Sequence, residues 1–394
     1  MLHIKNNRVV FEYSYCQQCG LCKAICPKQA ISFERNKEGL NIVEINQDTC
    51  IKCKLCIRLC PANSDSVSPN YKETIKNRIF YLGYHNNKQI RYHSSSGGVT
   101  RAIAIECLQK KLVDGVYTLR KTSEFPFAEG YLYTPNNIPE YNEIPNSIYH
   151  SVPLNENIKK IQGKKILIIG TSCQIKSAYN YLKRRTKELY CICIFCKQQK
   201  TIRSTQFIAK MLRTSISIDS QFSFQYRGNG WPGSVFINQK SINYSTASSL
   251  PFGKRLWSVP GCHICGDPYA IDYADLTLMD PWNILKDEKD GCNLIVCHSE
   301  KGKELLKATS CIHLKEQTFS SVEKGLSLKD IERKQLLIPF YLHKPCSMRI
   351  KLAGYLDLMQ RFLFTFLLEK LPSMPIVFYK IINKIPDIRN LILK

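Results

Sequence analysis

Three observations predict a small α+β domain, then a larger α/β domain with a mostly parallel sheet, then a helical C-terminal tail. Residues 16 to 61 hold eight cysteines in two copies of one pattern. From Gly163 the chain reads strand, turn, helix, strand, which favours a parallel pair joined by a crossover. Beyond residue 340 both signals stop, and an apolar, basic stretch with helical spacing begins. A chain of 394 residues suits two or three domains and a sizeable core.

The first element is the cysteine array: Cys16, Cys19, Cys22, Cys26-Pro27 and Cys50, Cys53, Cys56, Cys60-Pro61, each member recurring at an offset of 34. A Cys-x2-Cys-x2-Cys-x3-Cys-Pro run fits a cubane cluster, three loop thiolates capping three irons while the fourth cysteine reaches the other cluster. The expected ligation is therefore crossed, with Cys16, Cys19, Cys22 and Cys60 on one 4Fe-4S cluster and Cys50, Cys53, Cys56 and Cys26 on the other. Zinc sites pair two Cys-x2-Cys hooks across a longer gap, whereas four cysteines crowd each hook here. Between the motifs, Ala30 to Glu34 and Asn41 to Ile45 alternate around Glu38-Gly39 as a hairpin would. Residues 14 to 66 resemble a bacterial two-cluster ferredoxin, so residues 1–66 are read as a ferredoxin-like cluster domain.

Nineteen cysteines with no apolar signal core between Met1 and Cys16 point to a reducing, cytoplasmic setting. The formal charge of +24 admits nucleic acid, an anionic membrane or an acidic partner. No nucleic-acid recognition motif accompanies it, and the lysines come in short pairs such as Lys159-Lys160, so a solvated surface and no nucleic-acid partner are expected.

After Cys60 a polar stretch through Asn70 offers little to bury, and residues 67–77 are read as a linker. The second domain, 78–343, opens with a strand near Ile79 to Tyr84. It then reaches Ser94-Ser95-Ser96-Gly97-Gly98-Val99-Thr100, after which Val99, Ala102, Ile103 and Cys107 have helical spacing. A Ser/Gly turn opening a helix offers free N–H groups and the positive dipole end to a phosphate, although such turns are commonly plain caps. Gly97 is read as a place where the backbone approaches that phosphate closely.

Strands follow at Val113 to Leu119, Ile166 to Ile169 and Leu189 to Phe195, with Ile175, Ala178, Tyr179 and Leu182 marking the helix between the last two. Ligands of parallel sheets gather at the carboxyl ends of strands, where Cys173 and Cys196 lie. Together with Cys262 and Cys265, which precede a strand at Ala274 to Met279, they make a candidate four-thiolate site with zinc as a rival metal. His263 is read as a neighbour, not a ligand. Cys107, Cys191, Cys292, Cys297, Cys311 and Cys346 are read as small core hydrophobes.

Residues 78 to about 340 resemble the beta subunit of the deazaflavin-coenzyme hydrogenase/dehydrogenase family. The resemblance rests on seven ordered stretches: Ser96 to Thr100, Asn146 to Ser151, Gly170 to Gln174, Phe195-Cys196, Arg227 to Trp231, Cys262 to Cys265, and Ala274-Asp275 to Asp280-Pro281-Trp282. It implies an α/β flavin-binding domain, with FAD contacted by Ser95, Ser96, Gly97, Gly98, Thr100, Tyr149, Ser151, Gly170, Thr171, Ser172 and Arg227. It also implies a third 4Fe-4S cluster on Cys173, Cys196, Cys262 and Cys265. Two departures stand out. Cys196-Lys197-Gln198 occupies a place where relatives carry Cys-His-Gly, which leaves Cys193 as an alternative ligand, and Met279 replaces a common glycine.

In the tail, 344–394, nine Lys/Arg face Asp357, Glu369 and Asp387. Leu352, Leu356, Met359, Phe362, Phe366 and Leu367 suggest a helix too interrupted to span a bilayer. It is expected to pack on its own domain, with peripheral contact to the inner face of the membrane as the rival. The whole chain then reads as an iron-sulfur flavoprotein oxidoreductase linking a one-electron partner, such as ferredoxin or a reductase, to a small two-electron substrate. The resemblance to ferredoxin-fused members of the family implies, as one setting, surface-polysaccharide synthesis. A relay subunit docking on a partner enzyme and a metal-stabilised scaffold without flavin are the alternatives; a homo-oligomer is compatible with all three.

Overall fold

The structure, a computed structural model, describes residues 1–63, 70–161 and 163–393. The two cysteine motifs fold alike: Cys22 lies in a short helix, Leu21–Ile25, and Cys56 in its counterpart, Leu55–Arg58. Ahead of each helix the backbone turns left-handed at matching places, Gln18 and Gly20 (φ 60° and 87°) in one copy, Lys52 and Lys54 (φ 53° and 61°) in the other. Turns of this kind gather N–H groups around an anionic centre. The expected hairpin forms from Ile31–Arg35 and Asn41–Ile45, Ile31 opposite Ile45. A second hairpin, Leu2–Lys5 with Arg8–Phe11, precedes the motifs and was not foreseen.

The larger domain is built on one eight-stranded sheet. Its order is Ile312–Gln317, Ile79–His85, Asn293–Cys297, Leu276–Met279, Glu188–Ile194, Lys165–Thr171, Gly115–Lys121, Ala128–Tyr133. The four strands from Leu276–Met279 to Gly115–Lys121 run parallel, and antiparallel pairings extend the sheet on both sides. This is the parallel block expected from the strand–turn–helix–strand run, with antiparallel additions that bring distant segments onto it.

Side-chain alternation assigns the two faces. Leu167 and Ile169 join Ala102, Ile103, Leu305 and Leu306 from the helices Val99–Gln109 and Glu300–Ala308. Ile166 and Ile168 turn the other way, towards Ile175 and Ala178 of the helix Ser172–Leu182 and also Leu21, Ala24 and Ile25 of the cysteine domain. The cysteine domain is thus docked through a shared apolar core.

The linker reading of 67–77 is corrected in part. Residues 64–69 lie outside the described residues, but Tyr71–Lys76 is a helix that buries Tyr71 and Ile75. Tyr71 donates to Asp267 Oδ1 at 2.8 Å, because its ring fills the core beside Tyr269 while its hydroxyl finds a carboxylate. The tail forms the helices Met348–Lys370, Ile376–Lys384 and Ile388–Ile392. Phe364, Leu368, Tyr379 and Ile382 pack with Phe207, Leu250 and Trp257 of the larger domain. Among the described residues, no helix is long and apolar enough to cross a membrane.

Candidate functional site

The cysteines fall into three neighbouring groups. A cavity of about 30 Å³ is lined by Cys16, Cys19 and Cys22 together with Cys56 and Cys60 of the other motif. Burial pushes the Cys16 thiol up to about 11 and Cys19 to about 12, and the nearby Cys60 adds to both. Cys56 rises to about 11 from burial and from Cys53, Cys26 and Cys50. Cys60 thus lies with the three leading cysteines of the first motif, and Cys26 lies near those of the second, while Cys56 sits between the two sets. Backbone N–H groups already point at sulfur: Gln18 N donates to Cys16 Sγ at 3.4 Å and Ala30 N to Cys26 Sγ at 3.3 Å. Buried thiols that resist ionisation, with N–H donors aimed at them, fit a centre that supplies the compensating positive charge.

The third group comes from three loops. Cys173 opens the helix Ser172–Leu182, Cys196 follows the strand Glu188–Ile194, Cys262 lies in a one-turn helix, Pro260–Ile264, and Cys265 ends it. Burial raises Cys173 well above its ordinary range, and Cys265, Cys19, Cys262 and Cys196 all push it further. Cys262 Sγ accepts from Gln199 N at 3.3 Å. Cys193 is also close, but it is fully buried in the strand, with its thiol towards Pro268 O at 3.7 Å, whereas Cys196 and Cys262 line the large cavity described next. Among the described residues no three His, Cys or acidic side chains converge as for a single metal ion.

The first and third groups share a wall. Cys173 Sγ lies 3.8 Å from Gln17 O. A Cβ on Gly261 would fall 2.3 Å from the backbone of Cys16, so only glycine lets the Cys262 hook sit against the first motif.

Beyond the third group opens a cavity of about 800 Å³, a volume in the range of small-molecule and cofactor sites. Ser95, Ser96, Gly98, Thr100, Tyr149, Gly170 and Thr171 line it, as do Cys196 and Cys262. Gly97, Ser151, Ser172 and Arg227 are not among its lining residues. Ser96 Oγ is engaged with Cys292 O, and Ser95 Oγ accepts from Ser147 N at 2.9 Å. Thr171 and Gln174 form a reciprocal cap at the helix start. Ser172 Oγ donates to Asp267 O. Arg227 is buried, pairs with Asp280 at 2.9 Å and stacks 4.3 Å from the Tyr244 ring, so it holds the cavity-lining Asp280 in place.

Gly97 serves a different purpose from the one expected. A Cβ there would lie 2.6 Å from Gly83 O and 2.8 Å from Asn293 N, so its bareness lets the turn pack on the sheet. Gly98 takes the left-handed backbone that starts the helix, φ 80°.

The far wall of the cavity comes from the tail and from residues just before it, which sequence reasoning missed. Lys334, Tyr341, Asp357, Arg389 and Asn390 line it beside His263. Asp357 stays ionised despite burial because Arg361 (2.9 Å) and Arg255 flank it, and Tyr341 donates to it at 2.9 Å. His263 is pushed well below its ordinary range, first by burial and then by Arg361, whose Nη1 donates to Nε2 at 2.8 Å. It is a neutral acceptor at neutral pH. The available signal was Asp357 and Arg361 themselves: charges four apart in an apolar helix belong on an inward face with a partner.

Comparisons with known proteins agree with this layout. Residues 80–159 match the family model described as coenzyme F420 hydrogenase/dehydrogenase, beta subunit N-term, and residues 163–320 match its C-terminus. Residues 15–64 match a 4Fe-4S dicluster domain. A chain from the F420-reducing [NiFe] hydrogenase complex of Methanosarcina barkeri aligns at 17% identity over 66% of this chain and 90% of that one, with a TM-score of 0.48. No curated protein gives a match. The chain belongs to the coenzyme F420 hydrogenase/dehydrogenase beta subunit family and is an iron-sulfur oxidoreductase-type protein with a 4Fe-4S dicluster domain at its N-terminal end.

Proposed function

We propose that the protein passes electrons between a one-electron partner protein and a small two-electron substrate. One observation carries this reading: the dicluster domain abuts the third cysteine group, Cys173 Sγ lying 3.8 Å from Gln17 O, and that group reaches the 800 Å³ cavity through Cys196 and Cys262. Cys50, Cys53, Cys56 and Cys26 would hold one 4Fe-4S cluster, Cys16, Cys19, Cys22 and Cys60 a second, and Cys173, Cys196, Cys262 and Cys265 a third. FAD would lie in the cavity against Ser95, Ser96, Gly98, Thr100, Tyr149, Gly170 and Thr171. When bound, the clusters supply one-electron transfer and the flavin supplies the exchange between one- and two-electron chemistry.

The chain's own part is placement. Gly261 lets the hook of the third group abut Cys16, Gln199 N donates to the Cys262 sulfur, and the tail forms the far wall of the cavity. The domains proposed are 1–66 for the dicluster module, 78–343 for the flavin and third-cluster domain, and 344–394 for the tail. A setting in surface-polysaccharide synthesis rests on the resemblance alone. The rival, a relay subunit without a substrate site, is disfavoured by the size of the cavity.

Anaerobic purification with iron, sulfide and flavin counts tests the reading. Cys262→Ser should lower iron from about twelve to about eight per chain, at four irons per cubane, and leave FAD bound. Flavin reduction through the dicluster domain should slow severely, while reduction by an external two-electron donor persists. Unchanged iron, or zinc in the native protein, removes the relay; turnover of small acceptors only when a partner enzyme is added supports the rival.

A further inference from the structure

The tail helix Met348–Lys370 carries two apolar faces. Ala353, Phe364 and Leu368 pack inward together with Asp357 and Gln360. Leu352, Tyr355, Met359, Phe362, Leu363 and Phe366 recur at helical spacing on the outside, Phe362 being 73% and Tyr355 64% exposed. A solvated helix places charge on such a face. Here the only charged residues between Lys351 and Glu369 are Asp357 and Arg361, and they pair with each other on the inner side. Six half-exposed or more exposed side chains of this size make an apolar patch of several hundred Å², roughly the largest a monomer leaves uncovered. Val377 and Ile381 add exposed apolar surface on the following helix, Ile376–Lys384.

We propose that this face lies on a lipid bilayer bearing anionic headgroups. Charge decides between the candidate occupants. At a formal +24, a second copy would bring like charge to like. Exposed Lys351, Lys370, Lys380 and Lys384 lie on the same two helices, and they suit phosphate-bearing headgroups around an apolar stripe. The buried Asp357–Arg361 pair keeps the helix in the interfacial plane, because turning it across the bilayer would carry both charges into hydrocarbon. Since the inner side of this helix lines the cavity at Asp357, docking would place the cavity wall next to the membrane surface.

The test uses full-length protein with its cofactors and sucrose-loaded vesicles, either phosphatidylcholine alone or with about one third phosphatidylglycerol. Sedimentation should show at least about tenfold tighter binding to the anionic vesicles at low salt, weakening as salt rises. The triple variant Met359→Ser, Phe362→Ser, Phe366→Ser should keep its iron and lose about tenfold or more in binding. A variant with Lys351, Lys370, Lys380 and Lys384 each changed to Gln, which alters no apolar side chain, should lose most of the salt-sensitive part. No preference for anionic vesicles by the native protein, or undiminished binding by both variants, overturns the proposal. So does a dimer that the triple variant splits in sedimentation equilibrium, which assigns the face to a second copy.

Discussion

Cys60 lies among cysteines that it does not adjoin in sequence. It closes the second motif, yet it lines the cavity of the first with Cys16, Cys19 and Cys22. Its charge is felt by all three of those thiols after burial has raised them. Cys60→Ser should therefore damage the cluster held by the first motif, the one next to Cys173, and spare the second. Electron paramagnetic resonance of the reduced protein would show one ferredoxin signal lost; selective loss of the other would mean that ligation is not crossed. Gly261, in contrast, is needed for what it lacks, since any side chain there meets the backbone of Cys16.

At the scale of the element, the turn before the helix Val99–Gln109 separates two requirements that a Ser-Gly-Gly string cannot distinguish. Gly98 supplies the left-handed residue that starts the helix, and Gly97 supplies close contact with the strand Ile79–His85 through Gly83 O. Gly97→Val should therefore destabilise the whole fold by about 3 kcal/mol or more, because its neighbours are backbone atoms that cannot rotate aside. Thermal unfolding would show a large drop in midpoint with cofactor loss following it. Loss of flavin at an unchanged midpoint would restore Gly97 to the cavity.

For the whole molecule, the notable arrangement is that segments far apart in sequence, from Ser94 to Asn390, line one cavity. The tail is fastened to it through Arg255, which reaches both Asp357 and Asp387. Removing one partner of such a buried pair leaves uncompensated charge and costs about 3–5 kcal/mol. Arg255→Leu should release the tail and open the far wall of the cavity, seen as new protease cleavage after Arg349 or Lys351 while the dicluster iron is retained. A tail that stays protected in this variant would show that its apolar packing with Phe207 and Trp257 suffices.

The sequence by itself determined the elements whose cause is local. Two cysteine runs at a fixed offset, a hairpin at Glu38-Gly39 and a strand–turn–helix–strand unit at 165–194 each follow from spacing or periodicity that a few neighbouring residues carry. Seven family stretches identified the larger domain, in agreement with the matched models. Tertiary structure alone decided what depends on residues meeting from afar. It set Gln17 of the first motif against Cys173, turned Gly97 towards the sheet, and made a helix of 71–76 whose Tyr71 is buried against Asp267. It also turned the tail helix so that Asp357 and Arg361 lie inward with Phe364 and Leu368, leaving a second, apolar face outside. The composition of that tail contains both faces, but only packing against Arg255 and His263 says which one turns inward, because a buried charge needs its partner and an apolar side chain does not.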